Sequence, residues 1–245
     1  MPSVPYDSCN YKLFWKNRNY EDQSERLAIN KFLKQIHSRD SIIDIGGGYG
    51  RLANLYIPEF RKCFIVDPSE SLLSEARKSL ITLKSPNSLT FLKTNSDSLP
   101  KDQFEVALMI RVAHHLPDPL PTFKEVYRVL KPQGSFILEY ANKIHLLARL
   151  RGVDKSLEPI DVRSEKSKTE GKIIFVNHHP KRIEELLKES GFVVIDRLSV
   201  SNFRYPLIKK LVPEKLLLFF ENLLQKPLAK VNFGPSIFLL CQKTK

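Results

Sequence analysis

Residues 42–52 constrain this chain more than any other stretch: Ile-Ile-Asp-Ile-Gly-Gly-Gly-Tyr-Gly-Arg-Leu. The run begins as a short apolar segment, the pattern of a strand buried on both faces. Glycine then fills four of five positions, Gly46, Gly47, Gly48 and Gly50, and a helix start follows. Glycines let the backbone take positive φ and come close to a ligand. The helix N-terminus beyond them offers unpaired N–H groups and a partial positive charge. A strand, a glycine turn and a helix in that order make a nucleotide-binding site.

The rest of the chain sets this unit in a repeating pattern. An arm over residues 1–20 is rich in aromatics (Tyr6, Tyr11, Phe14, Trp15, Tyr20), of which Tyr6, Tyr11, Phe14 and Trp15 either form a lid over the cofactor pocket or pack against the first helix. Glu21 to Ile36 reads as a helix burying Leu27, Ile29, Phe32, Leu33 and Ile36. After the glycines come a helix over 49–57 and a buried strand, Cys63 to Asp67. Pro68 and Ser69 open the next helix, with Ser69 as N-cap and Glu70 in the first turn. Strands follow at 89–93, 104–110 and 135–140, with a helix from Asp118 to Leu130 stopped by Pro132 and Gly134. Strands alternating with helices mean a parallel sheet covered on both faces. The pattern then loosens. The expectation is a helix at 141–151, a mobile polar loop at 152–171 and an extended run at 173–176. After these come a helix at 180–190, a strand at 192–200, two helical pieces at 206–211 and 213–224, and a last strand at 236–242. With no internal repeat or linker, residues 1–245 read as one domain. It has an N-terminal arm and helix (1–36) and insertions at 142–172 and 201–234.

Composition removes several classes. The chain has 245 residues, 42% hydrophobic and 27% charged, enough to bury a core. Cys9, Cys63 and Cys241 lie far apart without metal-ligand spacing, which fits a reducing cytosol and a cytoplasmic protein. The first residues do not read as a signal peptide. No apolar run approaches the ~18–20 residues of a membrane span. The net charge of +12 is uneven: residues 1–140 hold 19 Lys+Arg and 16 Asp+Glu, whereas residues 141–245 hold 20 and 11. A field of this sign favours anionic partners such as nucleic acid, acidic lipid or a phosphorylated metabolite, unless it is simply a solvated surface.

The glycine spacing separates the nucleotide classes. A dinucleotide fingerprint is G-x-G-x-x-G. Here glycines stand at 46, 48 and 50, Arg51 fills the third slot, and Asp44 precedes them. Further on, Asp67 closes the second strand, residues 104–116 read F-E-V-A-L-M-I-R-V-A-H-H-L, and residues 126–140 read V-Y-R-V-L-K-P-Q-G-S-F-I-L-E-Y. These segments, in this order, resemble the class I S-adenosylmethionine-dependent methyltransferases, particularly the methyltransferase type 11 pattern. The resemblance is strong over residues 40–140 and weak beyond. It implies a Rossmann-like, doubly wound, mostly parallel seven-stranded sheet with helices on both faces and an antiparallel last strand. It implies S-adenosyl-L-methionine as cofactor, leaving S-adenosyl-L-homocysteine.

Chemistry then assigns candidate contacts. The cofactor carries a sulfonium, an adenosine and an amino-acid tail, so it needs no phosphate cradle. Gly46, Gly47, Gly48, Tyr49 and Gly50 would close over the tail and ribose, and Asp44 would attract the tail's ammonium. Asp67, 17 residues after Gly50, would accept both ribose hydroxyls, with Pro68 beside it. Otherwise Asp67 is a strand-end or Asx-turn residue. The family's acidic contact to adenine falls at Asn95 here, with Ser96 beside it and Asp97 as the alternative acid. Methyl transfer needs positioning above all, and a general base only when the acceptor arrives protonated. His114 and His115 are candidate bases, or they hold the following turn. Arg111 either orients an anionic acceptor or pairs with a surface carboxylate. Glu139 and Tyr140 either touch substrate or pack. His178 and His179, adjacent on an extended segment, point to opposite sides and read as solvated or substrate-facing rather than as metal ligands. No metal is expected.

Enzymatic methylation of a small acceptor, anionic or neutral, at oxygen, nitrogen or carbon is therefore the leading reading. RNA or tRNA methylation would use the basic second half, but no N-P-P-Y-type motif, catalytic-cysteine motif or RNA-binding module accompanies it. A non-catalytic cofactor-binding interaction protein is a third reading, and Arg51 disfavours a nicotinamide dehydrogenase. The apolar, basic segment 203–224 completes the core, or walls the acceptor pocket, or meets a second copy or a membrane surface.

Overall fold

The glycine turn lies at the middle of a seven-stranded sheet. A computed structural model describes residues 14–80, 88–93, 99–169 and 173–244. The chain enters through α1 (Asn19–Leu33), then β1 (Ser41–Ile45), a one-turn α2 (Ala53–Tyr56), β2 (Lys62–Asp67), α3 (Glu70–Leu80), β3 (Ser88–Lys93) and β4 (Phe104–Met109). It continues through α4 (Leu120–Val129) and β5 (Leu130–Ala141), then α5 (Leu146–Leu150), β6 (Ile160–Asp161), α6 (Glu165–Thr169) and β7 (Val176–Asn177). It ends with α7 (Pro180–Glu189), β8 (Phe192–Val200), α8 (Pro206–Leu211), α9 (Glu214–Ala229) and β9 (Ser236–Lys243).

Strand order is β3-β2-β1-β4-β5-β9-β8. Neighbours from β3 through β5 are parallel, and β9 runs antiparallel to both β5 and β8. This is the doubly wound, mostly parallel sheet with an antiparallel last strand that the sequence pattern implied. Alternation along each strand divides the core in two. Ile42, Ile65, Val106 and Ile137 pack with α1, α2 and α3, while Ile43, Ala107, Phe136 and Leu138 pack with α4 and α7. Reversal of strand order at β1 and β4 opens a crevice at the strands' carboxyl ends, where such sheets bind ligands.

Four expectations need correction. The helix expected at 141–151 is confined to Leu146–Leu150. Asn142 and Lys143 are instead tied to their neighbours: Asn142 Nδ2 donates to the carbonyls of Asn232 and Gly234, and the Lys143 amide to that of His178. The polar stretch 152–171 is not structureless. It includes β6, which pairs with β7, and α6. Its organiser is the buried Lys143, whose Nζ donates to Ser156 O and Oγ and to Glu158 O and lies 3.3 Å from Asp154 Oδ2. Helix α4 ends at Val129, before Pro132, and Leu130 already pairs with Phe104. The inner face of α1 is not purely apolar, because Glu21, Ser24 and Glu25 are buried beside Ala28, Ile29 and Phe32.

Candidate active site

β1 delivers Asp44 just below the turn. Gly46 and Gly47 N–H both point back to the Val66 carbonyl, at 2.8 and 3.2 Å, which locks the turn against β2. Gly46 has φ +70°, and a Cβ there would overlap Val112 Cγ2. Gly47 has no room either: a Cβ would sit 2.9 Å from both Asp44 Oδ2 and Ile65 Cγ2. Gly46→Ala should therefore cost about 1–3 kcal/mol or more in strain and clash. Urea unfolding checks this, and an unchanged midpoint would show that the turn relaxes freely.

Two carboxylates flank the glycines. Asp44 is buried, and Tyr56 Oη donates to its Oδ2 at 2.8 Å. Burial pushes the Asp44 carboxyl up to about 7, and the negative charge of Asp67 adds to that; the Tyr56 hydrogen bond and Arg51 oppose it. Asp67 accepts the Gly48 amide on Oδ2 at 3.0 Å and the Ser69 amide on Oδ1 at 2.8 Å. The second bond is the Asx-turn geometry that competed with a ligand role in the sequence. A carboxylate has about four acceptor positions, so these two bonds are compatible with further donors. Ser69 caps α3 by accepting the Leu72 amide. Tyr49 is half-buried within the turn, and Pro68 is exposed beside Asp67. Asn95, Ser96 and Asp97, like Cys9, Tyr6 and Tyr11, lie outside the described residues.

A second layer closes over the turn. Trp15 stacks on the Arg51 guanidinium, 3.7 Å from the ring centroid, with Arg111 at 5.5 Å. Arg51 pairs with Asp22 and, at 2.6 Å, with Glu25. Arg111 Nε donates to the same Glu25 at 2.7 Å. The Arg111 guanidinium thus takes a carboxylate, but a fully buried one on α1 rather than the surface carboxylate expected. Its backbone has φ +64°, unusual for a residue with a side chain, and its amide donates to Glu139 at 2.9 Å. Glu139 is buried and also accepts from Ser236, so it ties the Arg111 turn to β9. Burial holds its carboxyl above the usual range. Tyr140 is packed in the core.

His114 and His115 sit in a single 3-10 turn, Ala113–His115. The His114 ring is buried against His115 at 4.0 Å and Phe175 at 4.3 Å. Burial, then the charges of His115, Arg111 and His178, press its basicity far below the ordinary value, so the ring is neutral. His115 Nδ1 bonds the Ile174 carbonyl at 2.7 Å, and burial lowers its basicity too. His178 is neither solvated nor facing a ligand from a loop: it is buried, and its Nε2 bonds the Ala113 carbonyl at 3.0 Å. His179, on the opposite side, caps α7 by accepting from the Lys181 amide.

Unsatisfied polar atoms mark the same rim. Buried polar groups almost always have partners, and each exception calls for an explanation. Among the described residues, the buried side-chain atoms without one are Trp15 Nε1, His114 Nδ1, Tyr140 Oη, His145 Nδ1, Ser201 Oγ and Asn232 Oδ1. Tyr140 lies on β5 itself. His114, His145 and Ser201 follow β4, β5 and β8, Asn232 precedes the antiparallel β9, and Trp15 stacks over the glycine turn, so all five adjoin the carboxyl edge. Orphaned donors and acceptors gathered there suit a site that a polar ligand fills.

The donor set favours one kind of ligand. Asp44 and Asp67 beneath a tight turn would repel a pyrophosphate and attract an ammonium, a sulfonium and ribose hydroxyls. Glu25, Tyr56, Val112 and His145 were not legible as site residues, whereas Trp15 is one of the arm aromatics that the sequence offers either as a lid or as packing against the first helix.

Comparison with known proteins agrees. A methyltransferase-domain family model matches residues 14–197. The chain is 34% identical over 130 residues to the ubiquinone/menaquinone biosynthesis C-methyltransferase UbiE of Rickettsia typhi, covering 47% of this chain and 51% of that protein. It is 29% identical over 118 residues to the uncharacterized methyltransferase YcgJ of Bacillus subtilis, covering 47% of this chain and 46% of that protein. The aligned part spans about half the length of these curated relatives. Among solved structures, a SAM-dependent methyltransferase from Methanosarcina mazei shares the fold with TM-score 0.60 and 19% identity, over 87% of this chain and 97% of that one. A Burkholderia thailandensis 1,6-didemethyltoxoflavin-N1-methyltransferase, with its acceptor and S-adenosylhomocysteine bound, does so with TM-score 0.62 and 15% identity, over 96% and 83%.

Proposed function

This chain belongs to the class I S-adenosylmethionine-dependent methyltransferases, and we propose that it methylates a small anionic organic acceptor. The cofactor, when bound, supplies an activated methyl carbon. This chain's residues hold and orient. Asp44 takes the tail ammonium, the amides of Gly46 to Gly50 line the tail and ribose, and Asp67 accepts the ribose hydroxyls. The Trp15 roof, latched by Glu25, excludes water. Most of the rate then comes from alignment. The neutral His114 is suited to accept a hydrogen bond at Nδ1 and does not repel a cation, while its lowered basicity makes it a poor proton acceptor.

The observation that carries the acceptor class is Arg204, just past β8. Among the described residues its guanidinium has no hydrogen bond or ion pair. Arg204 is exposed at that edge; partial desolvation of its guanidinium, then the charge of Arg111, holds its basicity below the ordinary value, with Tyr205 and Glu21 opposing. Beside it, burial and then Arg204, Arg151 and Arg149 push His145 down to about 4. A guanidinium without an ion pair among the described residues, next to an orphaned ring nitrogen, suits an acceptor bearing a carboxylate or phosphate. The insertions at 142–172 and 201–234 supply these residues. The relatives act at different atoms, one named for carbon and one for N1, so the acceptor atom is open. Much of the basic second half is internally paired (Lys209–Glu21, Lys226–Asp196, Lys243–Asp102), which weakens the RNA reading.

Calorimetry with S-adenosylhomocysteine tests the donor half. Asp67→Ala should bind roughly 10- to 100-fold more weakly, the worth of one or two hydrogen bonds to a charged group. Unchanged affinity would remove Asp67 from the site. Tight tRNA binding that survives raised salt would replace the small-molecule acceptor.

A further inference from the structure

Helix α9 is turned inside out. Its buried stripe, at every fourth residue, is Leu217, Glu221, Gln225 and Ala229, half of it polar. Glu221 is the hub of that side: it accepts from Tyr20 Oη at 2.6 Å and from the amides of Ser201 and Asn202 at 2.8 and 3.1 Å. The apolar stripe faces solvent instead. Leu216, Phe219, Phe220 and Leu223, spaced i, i+3, i+4, i+7, are 45, 62, 41 and 62% exposed. Helix α8 extends the face with Leu207 and Leu211, 68 and 71% exposed. An amphipathic surface helix normally turns such a stripe to the core. A contiguous exposed apolar patch marks an interaction surface.

The charges around the patch select the partner. Residues 206–230 carry Lys209, Lys210, Lys215, Lys226 and Lys230 against Glu214 and Glu221, and Glu221 is buried. Lys209 and Lys226 are paired internally, whereas Lys210, Lys215 and Lys230 have no ion pair among the described residues. A two-fold contact between copies places the same patch on both sides, so it would bring these lysines against one another. A bilayer of anionic lipid buries the leucines and phenylalanines and neutralises the lysines together. No helix among the described residues is long and apolar enough to cross a membrane. We propose that the α8–α9 segment docks this protein peripherally on an anionic phospholipid surface, with its apolar stripe in the headgroup–acyl boundary. The proposal rests on this face alone and is independent of the acceptor.

Co-sedimentation of the full chain with vesicles tests it. Vesicles of phosphatidylcholine containing phosphatidylglycerol should pellet the protein, and pure phosphatidylcholine should do so far less. The double variant Phe219→Ser with Leu223→Ser should lower the partition coefficient at least ~10-fold, since each side chain removes apolar area from the contact. Lys210→Glu with Lys215→Glu should lower it by a similar factor, on the basis of about 1 kcal/mol per basic residue. Both pairs are solvent-facing, so circular dichroism melts should match wild type. Protein that stays in the supernatant with both vesicle types overturns the proposal. So does vesicle binding that neither variant weakens. Sedimentation velocity provides the remaining arm: a dimer split by the serine variant, without vesicle binding, assigns the face to a second copy instead.

Discussion

Replacing Glu25 with glutamine should destabilise the fold by about 3–5 kcal/mol, the usual result of breaking a buried ion pair from one side. The Glu25 side chain is fully buried, and its oxygens meet Arg51 at 2.6 Å and Arg111 Nε at 2.7 Å, both guanidiniums being only 11 and 15% exposed. Glutamine keeps one acceptor but turns an N–H pair toward the second guanidinium, leaving two cations with one partner. Asp22 relieves only Arg51, which it pairs with directly. The loss should therefore fall on Arg111 and on the turn after β4. Urea unfolding measures the size. The only tryptophan, Trp15, stacks on Arg51, so its fluorescence reports whether the α1 roof lifts. Adding Arg111→Leu should recover part of the loss, because it removes the orphaned charge. A cost below ~1 kcal/mol would mean that the cluster is solvated and that α1 is not latched to the site.

The same cluster shows why some of this molecule was legible in its sequence and some was not. The strands from β1 to β5, the glycine turn and the carboxylates at 44 and 67 are local signals. Each is written in a few adjacent residues, and burial on both faces of a parallel sheet enforces it. Nothing local singles out Glu25 on α1, because its partner Arg111 is 86 residues away. Tyr20 and Glu221 are 201 apart, and that distant bond is what turns the polar stripe of α9 inward. Lys143 is of the same kind: a charged residue within the helix expected at 141–151 is the buried post around which 154–158 is arranged. His178 was misjudged because adjacency to His179 suggested a loop, whereas the opposite-sides rule sent one ring into the core and the other to a helix cap. In each case a polar residue is buried through a partner that no local pattern reveals. Arg111 had both outcomes open, and the choice depended on α1 arriving over the turn.

Asp44→Asn should move stability and cofactor affinity in opposite directions. In the folded chain burial raises the Asp44 carboxyl to about 7, against an ordinary value of 3.8. The native state therefore keeps a proton that the unfolded chain releases between those two values. Stability contributed by this group is fully present below the unfolded value and is lost as pH rises toward 7. Three pH units at 1.36 kcal/mol each put the wild-type penalty on the order of 4 kcal/mol above pH 7. Asparagine carries no charge and can still accept the Tyr56 hydroxyl, so the variant should be more stable than wild type by ~2–4 kcal/mol at pH 8 and about equal at pH 4. Its affinity for S-adenosylhomocysteine should fall by roughly 10- to 100-fold through loss of a charge-assisted contact to the ammonium. Wild type adds a further signature. Near pH 7 the Asp44 proton must leave before the carboxylate can meet a cation, so binding heats should differ between buffers of different ionisation enthalpy. In the asparagine variant that difference should vanish. A variant that binds S-adenosylhomocysteine as wild type does, with no buffer dependence in either protein, would make Asp44 a structural post for Tyr56 and move the ammonium site elsewhere on the rim.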